Sequence, residues 1–553
     1  MTANVTTPSA TTPAPPTETA AGAGGLVRAA GINSLGNVAS RVLGLVREAV
    51  IAATFGATGA TSAFDAISGV PKMVYELLVG GMLSAALVPV LSEYAEDENN
   101  EALSEILSSL LSLGGVVLIV VVILLEIAAP WVAPLLVGGF DAELLRTATM
   151  LTRLIVPAIF IYGISGILQA YHYARKRFGY PAMGAPAHNL GVIIAVVLLA
   201  GRLDIASLSI GILVASVCQL LVQLPGLRGT RLRLRWRHSP VARAVMRRIL
   251  ALYAPVVLSI VVQNVGIIVD RNLASRTVPE AITWMTKATF LIQLPLGLVS
   301  MAISLAVLPT LSQIDASGVD QEALHRFKRT LSRGLRLVLA LIIPAAVALL
   351  ALGPPTIALI FQRGVFTAED ALQTWRALRF YLIGLPFAAI DLPLVFSFYA
   401  QKDTVTPVIV GIITVSLYVL VGPALAFWAG WGFTGLVMAN SVQLSCHAMI
   451  MLVLFSRRFS GLGGYGVATT ALKALVAAIP VGLIGWLGRA LLEPMVPATF
   501  VGRFVLVATL GGLGVIGYIV CARLLALEEI STLTATLGGL RARVAPRQGD
   551  QRS

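Results

Sequence analysis

Read for the spacing of its apolar residues, the chain is a succession of long hydrophobic stretches broken by short polar segments. A helix needs about 20 predominantly apolar residues to cross a bilayer. About fourteen stretches reach that length: near 26–55, 62–93, 104–137, 144–173, 181–201, 204–227, 249–274, 283–312, 327–352, 369–400, 405–428, 431–456, 467–491 and 500–525. The pattern predicts an all-α polytopic membrane protein.

The pattern also repeats. Leu83-Ser84-Ala85-Ala86-Leu87-Val88-Pro89-Val90-Leu91-Ser92 returns as Ile303-Ser304-Leu305-Ala306-Val307-Leu308-Pro309-Thr310-Leu311-Ser312. Phe140-Asp141-Ala142-Glu143 returns as Phe366-Thr367-Ala368-Glu369, and Tyr173-Ala174-Arg175-Lys176 as Tyr399-Ala400-Gln401-Lys402. The offset grows only from 220 to 226 residues. Six helices per copy, an even number, keeps both copies in one orientation, so two parallel lobes related by an axis along the membrane normal are expected. The expected boundaries are a disordered tail over 1–25, an N-lobe over 26–228 and a basic linker over 229–248. A C-lobe over 249–456, two extra helices within 457–525 and a C-terminal tail over 526–553 complete the chain.

Composition agrees with a lipid-facing molecule. Charged residues make up 12% of the 553, against about 25% in a soluble domain. The first 25 residues are mostly Thr, Ala, Pro and Gly, too poor in bulky apolar side chains to fold. They carry no positive n-region, so a cleaved signal peptide is not expected. Cys218, Cys446 and Cys521 sit in separate apolar segments and offer neither metal spacing nor a disulfide framework. The histidines His172, His188, His238, His325 and His447 show no ligand pattern.

The net charge of +13 raises the question of nucleic acid, above all at Arg231, Arg233, Arg235, Trp236 and Arg237. Topology accounts for it better. With the N-terminus in the cytoplasm, the loop after every even-numbered span is cytoplasmic. Those loops hold Arg175-Lys176-Arg177, the Arg228–Arg248 run, Arg326-Lys328-Arg329 and Arg457-Arg458, with Arg541, Arg543 and Arg547 in the tail. This is the positive-inside bias, and it favours anionic headgroups over nucleic acid as the partner. Both termini are expected in the cytoplasm.

Charges within the spans change the picture most. Arg41 and Glu48 of the first span fall about 20° apart on one helical face, with Arg47 beside Glu48. In the second, Asp65, Lys72 and Glu76 form one stripe. In the seventh, Gln263 lies over Asp270 and Asn264 over Arg271; the eighth carries Lys287 and Gln293. Glu126, Arg153, Arg379 and Asp391 stand in more apolar surroundings. Each charge costs about 2.5–3.5 kcal/mol at a helix centre, so the group is expected to line a hydrated cavity. Arg41, Arg47, Lys72, Arg271 and Lys287 outnumber Glu48, Asp65, Glu76 and Asp270. An excess of cations, with planar guanidinium forks among them, suits phosphate oxygens. There is no P-loop, no HExxH and no nucleophile elbow; the chain reads as a transporter and not an enzyme. With no cofactor expected, energy would come from the membrane potential or an ion gradient.

Several motifs carry a resemblance. Ser40-Arg41-Val42-Leu43-Gly44 with Arg47-Glu48 resembles the first helix of the MurJ/MviN family. Phe55-Gly56-Ala57, Val88-Pro89-Val90-Leu91, Gln219 to Pro225, Val269-Asp270-Arg271-Asn272-Leu273-Ala274-Ser275 and Leu308-Pro309-Thr310-Leu311-Ser312 are similar too. So are Phe361-Gln362-Arg363-Gly364 and Phe398-Tyr399-Ala400-Gln401-Lys402-Asp403-Thr404. The resemblance, over about residues 30–460, implies a fourteen-helix fold of the multidrug/oligosaccharidyl-lipid/polysaccharide exporter superfamily. It implies that the chain flips lipid II, the lipid-linked peptidoglycan precursor, across the bacterial inner membrane, with cationic residues facing the diphosphate. Membrane lipids and cell-wall synthesis proteins are the further partners it implies.

This chain departs from the family at three places. The family's second-helix Arg is Tyr75 here, with Lys72 one turn away; its second-helix Asp is Ser62, with Asp65 one turn on; its eighth-helix Asp-Arg is Thr289-Phe290, with Lys287 one turn before. Relatives that bind sodium do so through polar eleventh-helix residues. Leu417-Tyr418-Val419-Leu420-Val421-Gly422 lacks that set, so sodium coupling is not expected. The displaced cations keep open a different polyprenyl-diphosphate-linked oligosaccharide as cargo. A cation-coupled drug antiporter would need anions to dominate the cavity. A non-transporting scaffold would not need Arg41 and Arg47.

Overall fold

The computed structural model describes residues 20–80, 86–95, 100–230, 232, 240–314 and 320–531; the side chains of 20–34 and of scattered positions near 241–263, Gln263 among them, lie outside that description. The tail before residue 20, Arg231, Arg233, Arg235, Trp236, Arg237, His238 and the tail after 531 lie outside the described residues as well.

The first lobe begins with α1 (Ala20–Phe55). The second span is broken into α2 (Gly59–Ile67), α3 (Gly69–Tyr75), a π-helical turn over Glu76–Gly80, and α4 (Val88–Ser92). Then follow α5 (Asn100–Val137), α6 (Ala142–Ile155), α7 (Ala158–Ala174), α8 (Gly179–Leu203) and α9 (Ala206–Gln223). The second lobe opens with α10 (Pro240–Ser275) and α11 (Ala281–Pro295), a second π-helical turn over Leu296–Ser300, and α12 (Met301–Ser312). It continues through α13 (Gln321–Ile360), α14 (Ala368–Ala400), α15 (Val405–Pro423) and α16 (Phe433–Phe459). α17 (Val467–Leu492) and α18 (Phe500–Leu524) pack together and against α13. No strand occurs among the described residues.

Eleven helical units among the described residues are long and apolar enough to cross a membrane. The expected spans at 26–55, 62–93 and 249–274 are absent from that set. These three carry Arg41, Arg47 and Glu48, then Asp65, Lys72 and Glu76, then Asp270 and Arg271. The first and third are charged continuous helices. The second is interrupted at Ser68 and again by its π turn.

The sequence repeat has a backbone counterpart. The π turns at Glu76–Gly80 and Leu296–Ser300 lie one 220-residue offset apart. At the 226-residue offset, Asp141 caps α6 and Thr367 caps α14. Asp141 accepts from the amides of Glu143 and Leu144, while Thr367 and Asp370 close a capping box. Lys176 and Lys402, at the same offset, both turn the chain at positive φ, 56° and 60°. Local chemistry thus ends and starts equivalent helices in both copies. Asp370 also accepts from the Trp284 indole at 3.1 Å and ties α11 to α14. The second lobe is pinned by a buried aromatic cluster of Phe327, Phe398, Phe455 and Phe459 from α13, α14 and α16.

Candidate functional site

A cavity of 680 Å³ opens between the lobes. Its first-lobe walls are α1, α2, α3, α7, α8 and α9; α10 and α11 close the opposite side. Arg41, Arg47, Lys72 and Arg271 line it, with Glu48, Asp65, Glu76 and Gln293. Three spans that are separate in sequence, α1, the broken α2–α3 span and α10, therefore bring charge to one space. Cations exceed anions around it.

The charges divide into a braced group and a free group. Arg47 donates through Nη2 to Glu48 Oε1 at 2.7 Å and through Nη1 to Asn189 Oδ1 at 2.9 Å. Glu48 Oε2 accepts from Lys287 Nζ at 2.6 Å. Asn189 Nδ2 donates back to the Ser40 carbonyl at 3.0 Å. The chain of contacts runs from α8 through α1 to α11 and links the lobes. It holds the Arg47 guanidinium in one orientation. Arg271 donates to Thr286 Oγ1 at 3.0 Å. Arg41 and Lys72 have no ion pair among the described residues. The Arg41 guanidinium rests against Gly297 in the second π turn, where a Cβ would overlap it. Asp65 Oδ2 is buried without a hydrogen-bond partner.

Several sequence expectations are corrected here. Glu48 and Arg41, which spacing puts on one face, do not pair. The two are seven residues, about 10 Å along the axis, apart, and the carboxylate is taken by Arg47 and Lys287 instead. Lys287 does not line the space; it has no solvent exposure and acts beneath Glu48. A buried ammonium requires a counter-ion, and Glu48 is the carboxylate that bonds to it. Asp270 turns from the cavity toward α15, where the Tyr418 hydroxyl donates to Oδ1 at 2.5 Å. Asn264 is absent from the lining residues. Gln263 lies outside the described side chains.

Sequence reasoning did not single out the first-lobe wall. Tyr162, His188, Asn189 and Gln219 line the cavity. The Tyr162 hydroxyl and His188 Nε2 are 2.6 Å apart. The adjacent polar pair His188-Asn189, in a helix otherwise apolar for several turns, is the signal that points to it.

The cavity is closed at both ends by different means. At the end carrying the α1–α2 turn, the Val365 amide donates to the Ala53 carbonyl at 3.0 Å and the Gly139 amide to Ser275 Oγ at 3.0 Å. Asn272 Nδ2 donates to the Leu135 carbonyl at 2.9 Å, and Ser62 and Thr283 share a buried hydroxyl contact of 3.1 Å. At the other end, Arg248 grips Glu93 with two bonds of 2.7 and 2.8 Å, and both side chains are about half exposed. The Tyr253 hydroxyl donates there to the Leu77 carbonyl in the first π turn.

Comparison with known proteins adds the following. Residues 51–506 match the profile of a family described as lipid II flippase MurJ. A lipid II flippase MurJ from Burkholderia cenocepacia is 30% identical over 436 residues, which cover 76% of this chain and 81% of that protein. A probable lipid II flippase MurJ from Thermotoga maritima is 30% identical over 414 residues, 74% of this chain and 81% of its own length. The fold resembles a solved lipid II flippase MurJ in an inward closed conformation, with a TM-score of 0.71 and 22% identity over 89% of this chain and 98% of that one. An inward-facing multidrug resistance MATE transporter of the MOP superfamily gives a TM-score of 0.63 at 14% identity, over 76% and 95% of the two chains.

Proposed function

The chain belongs to the lipid II flippase MurJ family, and on that premise we propose that it moves lipid II from the inner to the outer leaflet of the bacterial plasma membrane by alternating access. The observation that carries the reading is the cavity: Arg41, Arg47, Lys72 and Arg271 face one space between two lobes. Planar guanidinium groups bind phosphate oxygens in pairs. Arg47 is held ready by Glu48 and Asn189, so little ordering entropy is lost when an anion arrives. Arg41 and Lys72 are free to move to it. The diphosphate sits among these cations, and the polyprenyl chain stays in lipid.

The end bearing Arg248 and Glu93 also bears Arg175-Lys176-Arg177, Arg326 and Arg457-Arg458. The positive-inside rule assigns it to the cytoplasm. Both termini are then cytoplasmic, and a cysteine placed at Gly463 reacts only from that side. Cargo enters by release of the Arg248–Glu93 contact and leaves when the sealed end parts. No cofactor is required; the membrane potential or an ion gradient resets the lobes.

Complementation tests the function. The chain should restore growth and lipid II translocation in cells depleted of their own flippase. Failure to rescue, with the protein inserted at normal levels, contradicts it. A second reading, another polyprenyl-diphosphate-linked oligosaccharide, is favoured by one observation: Tyr75 and Thr289-Phe290 stand where the family carries charge. Restored translocation of that cargo without lipid II would select it. A drug antiporter is disfavoured by the excess of cations around the cavity.

A further inference from the structure

Asp391 stands in an apolar span, lines no part of the cavity and takes no part in the contacts described above. It has a titratable partner. His447 Nδ1 lies 2.7 Å from Asp391 Oδ1 and joins α16 to α14. His447 stands midway along the 27 residues of α16. Asp391 lies nine residues before the end of α14, about 14 Å inside it. Both are well within a core about 30 Å thick. An ionised carboxylate only accepts, so Nδ1 carries a hydrogen. His447 Nε2 has no hydrogen-bond partner among the described residues and is not sealed from the surface.

The internal repeat shows what is particular about this contact. Ile164-Ser165 of the first copy corresponds to Ile390-Asp391 at the 226-residue offset, and Cys218-Gln219 to Cys446-His447 at 228. In the first lobe Gln219 Nε2 donates to Ser165 Oγ at 3.3 Å and joins α9 to α7. Equivalent helices are therefore joined at equivalent positions in both lobes. The first lobe uses neutral groups. The second uses groups that gain and lose a proton, although a neutral contact is enough to join the helices and charge in a span is costly.

The surroundings leave the pair to itself. Tyr399, further along α14, interacts electrostatically with Asp391. The other ionisable residues of α14, Glu369 to Tyr381, lie in its first half. α12 has none, and α15 has only Tyr418, which bonds to Asp270 of α10. Arg271 of α10 bonds to Thr286, and Lys287 of α11 is paired with Glu48. The ionisable residues of α13 all precede Leu337 in its first half. α16 adds Cys446 beside His447, and Arg457 and Arg458 in its last turn. Among the described residues none of these forms an ion pair with Asp391 or His447.

We propose that Asp391 and His447 form a proton-binding site in the second lobe, and that the proton is the ion whose gradient resets the lobes. Nε2 takes the proton from one side of the membrane and releases it to the other. With the proton bound, imidazolium and carboxylate cancel. Without it, a net negative charge is left between α14 and α16. The two states thus favour different packings of these helices. The inference rests on the reading of the chain as a flippase, since it names the ion that the transport cycle uses.

Two measurements test it, and the first needs no cargo. The chain has five histidines, so isotope-labelled histidine resolves them by NMR in nanodiscs, and His447→Gln assigns the resonance. The His447 ring should exchange a proton reversibly as pH is varied, and Asp391→Asn should move that titration. A ring that keeps one protonation state throughout overturns the proposal and leaves the lipid II reading standing. The second measurement follows lipid II translocation in proteoliposomes holding the chain in one orientation, with potassium and valinomycin clamping the potential at zero. A proton gradient of about tenfold, acid on the outer face, should speed translocation at least about threefold. Asp391→Ser combined with His447→Gln, which installs the neutral pair of the first lobe, should lose that response. His325→Gln, at an exposed histidine bonded to Tyr465, should keep it. A double variant that answers the gradient as the parent does overturns the proposal, and so does a parent that ignores the gradient. A parent that answers it only with another polyprenyl-diphosphate cargo upholds the proton site and overturns the lipid II reading.

Discussion

The two ends of the inter-lobe cavity are closed by contacts of different kinds. The end near Ala53, Gly139, Ser275 and Val365 is sealed by backbone amides and carbonyls that meet one another or the Ser275 and Asn272 side chains, over a buried Ser62–Thr283 contact. The Arg47–Glu48–Lys287 group lies just inside that seal. The opposite end is held by an exposed ion pair and one tyrosine hydroxyl. A buried contact such as Ser62–Thr283 is costly to leave unmade. An exposed ion pair contributes little and is screened by salt. The difference implies that the second end opens first and that breaking the first requires something that reaches the buried charges. An anionic headgroup competing with Glu48 for Arg47 is such an agent.

The largest effect is expected from the braced charges. Glu48→Gln removes the ion-pair partner of buried Lys287, and losing one partner of a buried pair costs about 3–5 kcal/mol. Thermal unfolding in detergent should show a large fall in Tm. Lys287→Met added to Glu48→Gln should recover most of it. A single variant as stable as the parent would break the contrast between the ends.

Next comes the seal itself. Gly364 sits at φ +54°, and a Cβ there would run into the Ala53 carbonyl. Such strain is worth about 1–3 kcal/mol. Gly364→Val should therefore speed the reaction of a cysteine placed at Ser62 with an impermeant thiol reagent by about tenfold or more. An unchanged rate would mean that the backbone seal does not govern access.

Smaller effects belong to the other end. Arg248→Glu should raise labelling of a cysteine at Ser68 a few-fold, with little change in Tm; raising salt in the parent should act in the same direction. The Arg248 guanidinium, hydrogen-bonded to Glu93, holds that carboxyl below its ordinary range. A lowered carboxyl pKa means that the contact is present above the ordinary value and is lost as pH falls through the lowered one. Spin labels across this mouth should keep their separation between about pH 7 and 5 and move apart only below about 4. Separation already at neutral pH would remove Glu93 from the closure.

Much of this arrangement is legible in the chain. The 220-residue repeat marks equivalent π turns, and Asp141 and Thr367 mark equivalent helix starts. Helical spacing was enough to group Arg41, Arg47, Lys72 and Arg271, because charges in apolar spans have few places to go. Spacing gives a direction on one helix and no partner on another. It therefore missed that Lys287 is buried beneath Glu48 and that Asp270 bonds to Tyr418. The wall formed by Tyr162, His188 and Asn189 rests on isolated polar positions in apolar helices, and those carry little pattern. The seal was invisible for another reason: many of its donors and acceptors are main-chain groups that every residue has, and its Ser62, Asn272, Ser275 and Thr283 side chains follow no periodic pattern.

The central claim is that the cavity cations hold a lipid diphosphate. It is tested most directly by measuring lipid II translocation in cells whose only flippase is this chain, with Arg41→Ala and Arg47→Ala combined and expression matched. The account predicts loss of translocation while the protein stays inserted and folded. Translocation at the parental rate by the double variant would contradict it.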